Sequence, residues 1–334
     1  TGAKIKKSKQ ANYHYRTQKH LQVLAIVGPT ASKKSELSLK LAEKFKAEII
    51  SADSMQVYRG MDIGTSKVSA EIRRKVKHHL IDIISVNDSF NAFEFQKLSR
   101  QAIRNINEKQ KLPILVGGTG LYVRSALYKL KLPDENNNKE IREKLERELE
   151  HKGLSSLQKK LKQKDKQAFS VIDIQNPRRV VRALEIIIKT RKPYLEYRQD
   201  WNSWQPIFNS IIIGLTASRE FLYKRINERV DSMMKASLLA EVKQLIKEGF
   251  LQVKVAKQAL GYKELIDHIN GFLSLEEAIV LVKKRTRNFA KRQLTWFKKD
   301  PNIEWLDIEK EPIDDIIEKV IILLKRFGQM YNID

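Results

Sequence analysis

The chain has no cysteine in 334 residues. That excludes disulfides and thiolate-held metals, and agrees with a reducing, cytoplasmic setting. No apolar run approaches the ~18 residues a membrane-spanning helix needs, and the N-terminus has no apolar core of the signal-peptide kind. Acid is scarce: 64 Lys and Arg stand against 40 Asp and Glu, leaving a net charge of +24. Such an excess favours a polyanionic partner, most simply nucleic acid. The plain alternative is a lysine-rich solvated surface. Clustering argues for the former, because Ala278 to Lys299 holds eight basic residues and no acid, in a helical pattern with Phe289, Leu294, Trp296 and Phe297. The first twenty residues are also basic without an acid and read as a disordered tail, 1–20.

What is present is an alternation of strand and helix patterns. Strands are expected near 21–27, 47–52, 79–84 and 112–117, with helices over 34–46, 92–110 and 119–127. This implies an α/β fold, a parallel sheet of the P-loop type flanked by helices. From Lys129 strand signals vanish, and charged helices are expected near 137–151, 154–168 and 177–189, punctuated by Pro133, Asn136 to Asn138, Gly153 and Pro177. Residues 129–206 therefore read as a helical insertion between two parts of one core, 21–128 and 207–334. Ser210 to Leu215 returns as a buried strand. Helices follow near 218–232, 235–248, 261–269 and 274–299, then a short strand near 303–306 and a last helix near 313–326.

Ligands bind such sheets at the carboxyl ends of the strands. Three segments meet that condition. Gly28-Pro29-Thr30-Ala31-Ser32-Lys33-Lys34-Ser35 joins the first strand to a helix. Its backbone N–H groups can surround an anion, and Lys34 and Ser35 suit a diphosphate with its Mg²⁺, as in ATP-binding P-loops. Lys33 stands where the usual pattern has glycine, and a helical φ would accommodate it. Asp53, in Ser51-Ala52-Asp53-Ser54-Met55-Gln56-Val57-Tyr58, follows the second strand, as a helix cap or a metal ligand. Gly117-Gly118-Thr119-Gly120 follows the fourth. Arg219, Arg225 and Arg229 lie on one helical pattern, where Arg225 and Arg229 share a face. They form either cationic forks for a diphosphate or a solvated basic face. His78 and His79 have no third ligand at metal spacing and read as structural.

These segments, with Ser51 to Lys67, Gly117 to Tyr122, Asn176 to Glu185, Gln258 to Tyr262 and Thr286 to Trp296, resemble the tRNA dimethylallyltransferases (tRNA isopentenyltransferases). They occur in that family's order from about Leu21 to Leu306. SADSMQVYRGMDIGT is the most specific of them. The absence of a zinc-finger extension resembles bacterial members. The resemblance implies a transferase in tRNA processing. It would move a dimethylallyl group from dimethylallyl diphosphate to N6 of the adenosine 3′ of the anticodon, in tRNAs reading U-starting codons. It implies Asp53 as general base, Thr119 at the reaction centre and on the target nucleotide, and Arg229 on the diphosphate. Gly28 to Ser35 would hold the diphosphate, with Mg²⁺ on Ser35. The segments Asp53 to Gln56 and Gln258-Ala259-Leu260-Gly261-Tyr262-Lys263 would hold the flipped nucleotide and its neighbours. Arg178, Arg179, Arg182 and Arg142 would contact the anticodon stem-loop. A monomer suits such a clamp.

Three other readings stay open. A free-adenylate prenyltransferase would share the core without a large RNA-binding insertion. A P-loop kinase would transfer phosphoryl and form no prenyl product. A non-catalytic RNA-binding relative, disabled at Lys33, would bind RNA without turnover.

Overall fold

The computed structural model describes residues 23–132, 139–253 and 259–325. The basic tail 1–20, Asn136 to Asn138 and Gln258 lie outside the described residues. Six strands form one parallel sheet: β1 (Val23–Val27), β2 (Glu48–Ser51), β3 (His78–His79), β4 (Pro113–Gly117), β5 (Ser210–Thr216) and β6 (Ile303–Asp307), in the order β3-β2-β4-β1-β5-β6. This is the P-loop-type sheet the alternation implied. Parallel neighbours require crossover connections, and those crossovers cover both faces. That is why β1 and β4 are buried along their whole length. Helices α1 (Lys34–Lys44) and α13 (Ile313–Lys325) pack on one face. Helices α3 (Ala92–Glu108) and α4 (Gly120–Leu127) pack on the other. A short helix, α2 (Ala70–Lys75), precedes β3.

The register aligns the strand ends. Val27 of β1 lies beside Gly117 of β4, and Ser51 of β2 beside Val116. Gly28, Asp53 and Gly118 therefore emerge at one edge, as the sequence implied. The third strand is shorter than the 79–84 expected. Leu80 and Asp82 take φ of 61° and 55°, which no strand residue can hold. The backbone beyond them pairs with the loop after β2 instead: Asp82 N donates to Gln56 O at 3.1 Å and Ile83 N to Val57 O at 2.9 Å.

Between β4 and β5, α5 (Lys139–Lys164), α6 (Lys166–Val171), α7 (Pro177–Thr190) and α8 (Tyr194–Tyr197) pack around a core of their own that includes Leu157, Leu161, Val180 and Leu184. The two helices expected at 137–151 and 154–168 meet at Gly153, where φ is 72°. The second stops at Lys164 because Asp165 caps α6, accepting from Ala168 N at 2.8 Å. The chain leaves and re-enters the core side by side. Lys129 N donates to Gln205 O and Ile207 N to Leu127 O, at 2.8 and 2.9 Å. Arg124 stacks on Trp204 with 4.0 Å from its guanidinium carbon to the ring centre.

After β5, α9 (Arg219–Lys235), α10 (Leu238–Lys247), α11 (Tyr262–Ile269) and α12 (Leu275–Phe297) build a further apolar cluster with Val57, Tyr58 and Met61 from the loop after β2. Ser274 and Glu277 form a reciprocal cap at the start of α12. Among the described residues no helix is long and apolar enough to cross a membrane.

Candidate active site

Two cavities meet at the carboxyl edge of the sheet. The first, about 380 Å³, is walled by Thr30 to Ser35 on one side and by Asp53, Gly118, Arg225 and Arg229 on the other. The second, about 250 Å³, is more apolar, with Met55, Met233, Leu238, Leu260, Tyr262 and Val282 in its wall beside Ser54 and Thr119. Thr30, Asp53, Thr65, Arg229 and Phe289 line both. Asp53 thus sits at the junction. One of its oxygens accepts from Met55 N at 2.8 Å, which fixes the turn that carries it. Thr119 is tied to the same turn, accepting from Ser54 N at 3.2 Å.

The phosphate loop is held open by unusual backbone. Ala31 and Lys33 have φ of 65° and 59°, in the left-handed region. The right-handed helical φ that would have suited Lys33 is not what the structure contains. The family pattern's glycine makes sense there, since a left-handed turn costs a side-chain-bearing residue about 1–2 kcal/mol. Two contacts from elsewhere in the chain secure the loop. Arg225 Nε donates to Ala31 O at 2.8 Å. Gln293 accepts from Thr30 N at 2.9 Å and donates to Gly118 O at 3.0 Å, latching the loop to the end of β4. A Cβ at Gly118 would lie 2.1 Å from Gln293 Nε2, so only glycine permits the latch.

The first cavity is electrostatically unbalanced. Lys34 is half-buried, and its ammonium is held down to about 7, first by loss of water, then by the nearby Arg229 charge, with Asp53 opposing. Burial also lowers Arg229, again with Asp53 opposing and Arg225 adding repulsion. Four basic side chains, Lys33, Lys34, Arg225 and Arg229, stand against two carboxylates, Asp53 and Glu36, and a confined excess of this sign gains on receiving an anion. Ser35 and Asp53 put a hydroxyl and a carboxylate on its wall. Among the described residues no group of three or more His, Asp and Glu could hold a metal. Hard oxygen donors in such small number fit a Mg²⁺ held mainly by substrate oxygens.

Of the other residues singled out from sequence, Gln56 lines the first cavity and Leu260, Gly261 and Tyr262 line the second. Ala259 is buried and Lys263 exposed. Arg219 is exposed and outside both cavities, so the expected three-arginine face supplies two. Arg178 and Arg179 are exposed at the start of α7, where Asn176 caps the helix by accepting from both their N–H groups. Arg142 and Arg182 differ: both bind the buried carboxylate of Glu185, at 2.9 and 3.0 Å. They are committed to the insertion's interior as well as lying near its surface. His78 and His79 are held structurally, on Val76 O and on Glu48, both at 2.7 Å.

Sequence reasoning missed Phe289, Arg292 and Gln293. The signal was available. Phe289 and Gln293 are four apart, and so share a face of a helix that otherwise reads as basic surface. Of that basic run, Lys283 pairs with Asp231, Arg285 with Glu264, and Arg287 bonds Asn227. Lys284, Lys291, Lys298 and Lys299 remain exposed.

Comparison with known proteins gives this geometry a family. The IPP transferase family model matches residues 56–300. The tRNA dimethylallyltransferase of Carboxydothermus hydrogenoformans is 47% identical over 300 residues, covering 90% of this chain and 96% of that protein. The crystal structure of tRNA delta(2)-isopentenylpyrophosphate transferase from Staphylococcus epidermidis superimposes with a TM-score of 0.68 at 41% identity, over 92% of this chain and 99% of that one. A eukaryotic dimethylallyltransferase acting on tRNA superimposes with a TM-score of 0.78 at 28% identity, over 91% and 79%. On the length and identity of these matches, the chain belongs to the IPP transferase family, that of the tRNA dimethylallyltransferases.

Proposed function

We propose that this enzyme transfers a dimethylallyl group from dimethylallyl diphosphate to N6 of the adenosine 3′ of the anticodon, in tRNAs that read codons beginning with U. The position of Asp53, at the junction of an anion-seeking cavity and a more apolar one, carries this reading. The diphosphate occupies the first cavity, against the loop from Gly28 to Ser35, with Lys34 and Arg229 on its oxygens. The adenine, extruded from the anticodon loop, enters the second beside Thr119, Met55 and Tyr262. N6 then attacks C1 of the prenyl group. The C1–O bond breaks, diphosphate leaves with the bonding pair, and Asp53 takes the proton that N6 loses. Lys34, Arg229 and the loop N–H groups stabilise the charge growing on the leaving oxygens. Mg²⁺, when bound, would be held by the Ser35 hydroxyl and substrate oxygens, and would supply further neutralisation.

The helical insertion, 129–206, serves as the clamp on the anticodon stem-loop, with 21–128 and 207–334 as the catalytic core. Its outward cations, Arg178 and Arg179, contact phosphate. The test is incubation with dimethylallyl diphosphate, Mg²⁺ and an unmodified anticodon stem-loop, followed by nucleoside mass analysis. Prenylated adenosine at the expected position supports the reading. RNA binding without product, or product only on free adenylate, refutes it.

A further inference from the structure

Glu241, on α10, lies outside every segment that marked the site in the sequence, yet it joins two of them. One of its oxygens accepts from the N–H groups of Asp62 and Ile63, at 3.0 and 2.7 Å. The other accepts from Gly64 N at 3.2 Å and from the Tyr262 hydroxyl at 2.7 Å. Three successive backbone N–H groups converging on one anion form a nest, and here a side chain of the same protein fills it. The loop gripped this way continues directly from the segment that carries Asp53 and Gln56. Tyr262 opens α11 and lines the more apolar cavity, as Gly64 does. The two also touch: a Cβ on Gly64 would lie 2.5 Å from the Tyr262 ring. Burial, with the Glu241 charge beside it, pushes the Tyr262 phenol well above its ordinary value, so it remains a donor at any working pH.

We infer that Glu241 is a positioning residue that locks the Tyr262 ring against the loop at 62–64, setting it as one wall of the slot that receives the target adenine. This rests on the proposed function, since the slot is the second cavity of that reading. Tyr262 is buried and packs edge-on to Phe250, so its hydroxyl bond sets the depth and tilt at which the ring edge meets the slot. A ring pinned at its hydroxyl and backed by Gly64 offers a fixed edge before RNA arrives, and so removes an ordering cost from base capture. The chemical step does not pass through Glu241. Its loss should therefore appear in RNA recognition, not in turnover of bound RNA.

The experiment first establishes prenyl transfer by the wild type to an anticodon stem-loop, which tests the parent reading alone. Steady-state constants are then measured for Glu241→Ala, Glu241→Gln, Tyr262→Phe and the double variant Glu241→Ala with Tyr262→Phe. The expected result is a rise in RNA KM of roughly tenfold for Glu241→Ala, the scale of the single bond that sets the Tyr262 ring, the three backbone bonds being lost to the loop in free and bound protein alike. Glu241→Gln should recover part of it. The KM for dimethylallyl diphosphate and the kcat should stay within about threefold of wild type, on the same principle that uniform binding leaves turnover unchanged. The double variant should be no worse than Glu241→Ala, because Tyr262 acts through the bond already removed. A stem-loop lacking the target base should bind wild type and Glu241→Ala alike. Equal weakening of the abasic RNA, additive losses in the double variant, or a fall in kcat with both KM values unchanged would each overturn the assignment.

Discussion

The unbalanced cations of the first cavity make binding of a prenyl diphosphate depend on pH in a calculable way. The Lys34 ammonium is held down to about 7 in the free protein because it is largely stripped of water and faces Arg229. An incoming diphosphate restores its charged form by standing beside it. Well below pH 7 the ammonium is already protonated, and further acid adds no more than about twofold over the affinity at pH 7. Above pH 7 the ligand must draw a proton with it, so affinity falls by about fivefold from pH 7 to 8, and then approaches tenfold per unit. The other groups facing Lys34 do not imitate this. Burial lowers Arg229 from a far higher starting value, and His78, on the same cavity, is held below its ordinary value, hence neutral throughout. Calorimetry at pH 8 in two buffers of different ionisation heat should show uptake of about 0.9 proton per ligand. Lys34→Met should bind more weakly at pH 7 and abolish that uptake, while retaining whatever dependence belongs to the ligand. Flat affinity between pH 7 and 9, or uptake undiminished in Lys34→Met, would refute the assignment of the proton to Lys34.

Other substitutions test neighbouring parts of the argument. Asp53→Asn should lower transfer by roughly 10²–10⁴-fold while leaving RNA affinity within a few fold, and wild-type turnover would remove Asp53 from proton transfer. Gln293→Ala should cost about 1–3 kcal/mol in melting experiments, by orphaning Thr30 N and Gly118 O, and should raise the KM for dimethylallyl diphosphate; an unchanged KM would deny the latch its role. Arg178→Ala with Arg179→Ala should flatten the salt dependence of RNA binding, which an unchanged slope would contradict.

The sheet was legible because its strands are continuous apolar runs between turn residues, the pattern of strands buried on both faces. β1, β4 and β5 fall where Leu21 to Val27, Leu112 to Gly117 and Ser210 to Leu215 place them. The third strand is shorter than its sequence suggests because Leu80 and Asp82 take left-handed backbone that nothing in their side chains announces. The phosphate loop is legible from its order of residues, but the conformation of Lys33 is not, since hydrogen bonds to the distant Arg225 and Gln293 help to hold the loop in that shape. Those partners lie roughly two hundred or more positions away, and no local pattern announces them. Arg142 and Arg182 show the opposite difficulty. A motif gives the residue type, but whether an arginine faces RNA or a buried glutamate depends on Glu185, whose own helical context reads as ordinary.

The net charge of +24 is therefore several separate instruments. Lys34, Arg225 and Arg229 are confined beside Asp53, in a space that mobile ions screen poorly. Arg142 and Arg182 neutralise Glu185, and Lys283, Arg285 and Arg287 hold α12 to its neighbours. Arg178 and the exposed lysines of α12 are left to meet a polyanion in water, with Arg179 beside them sharing its charge with the exposed Asp173 at 3.5 Å. The two substrates should therefore part company in salt. RNA capture, made by solvated cations releasing counterions, should weaken steeply as salt rises. Diphosphate capture, made in the half-enclosed cavity, should change less. If both fell together, the confined cations would have to be as solvated as the surface ones, and the electrostatic account of the first cavity would fail with them.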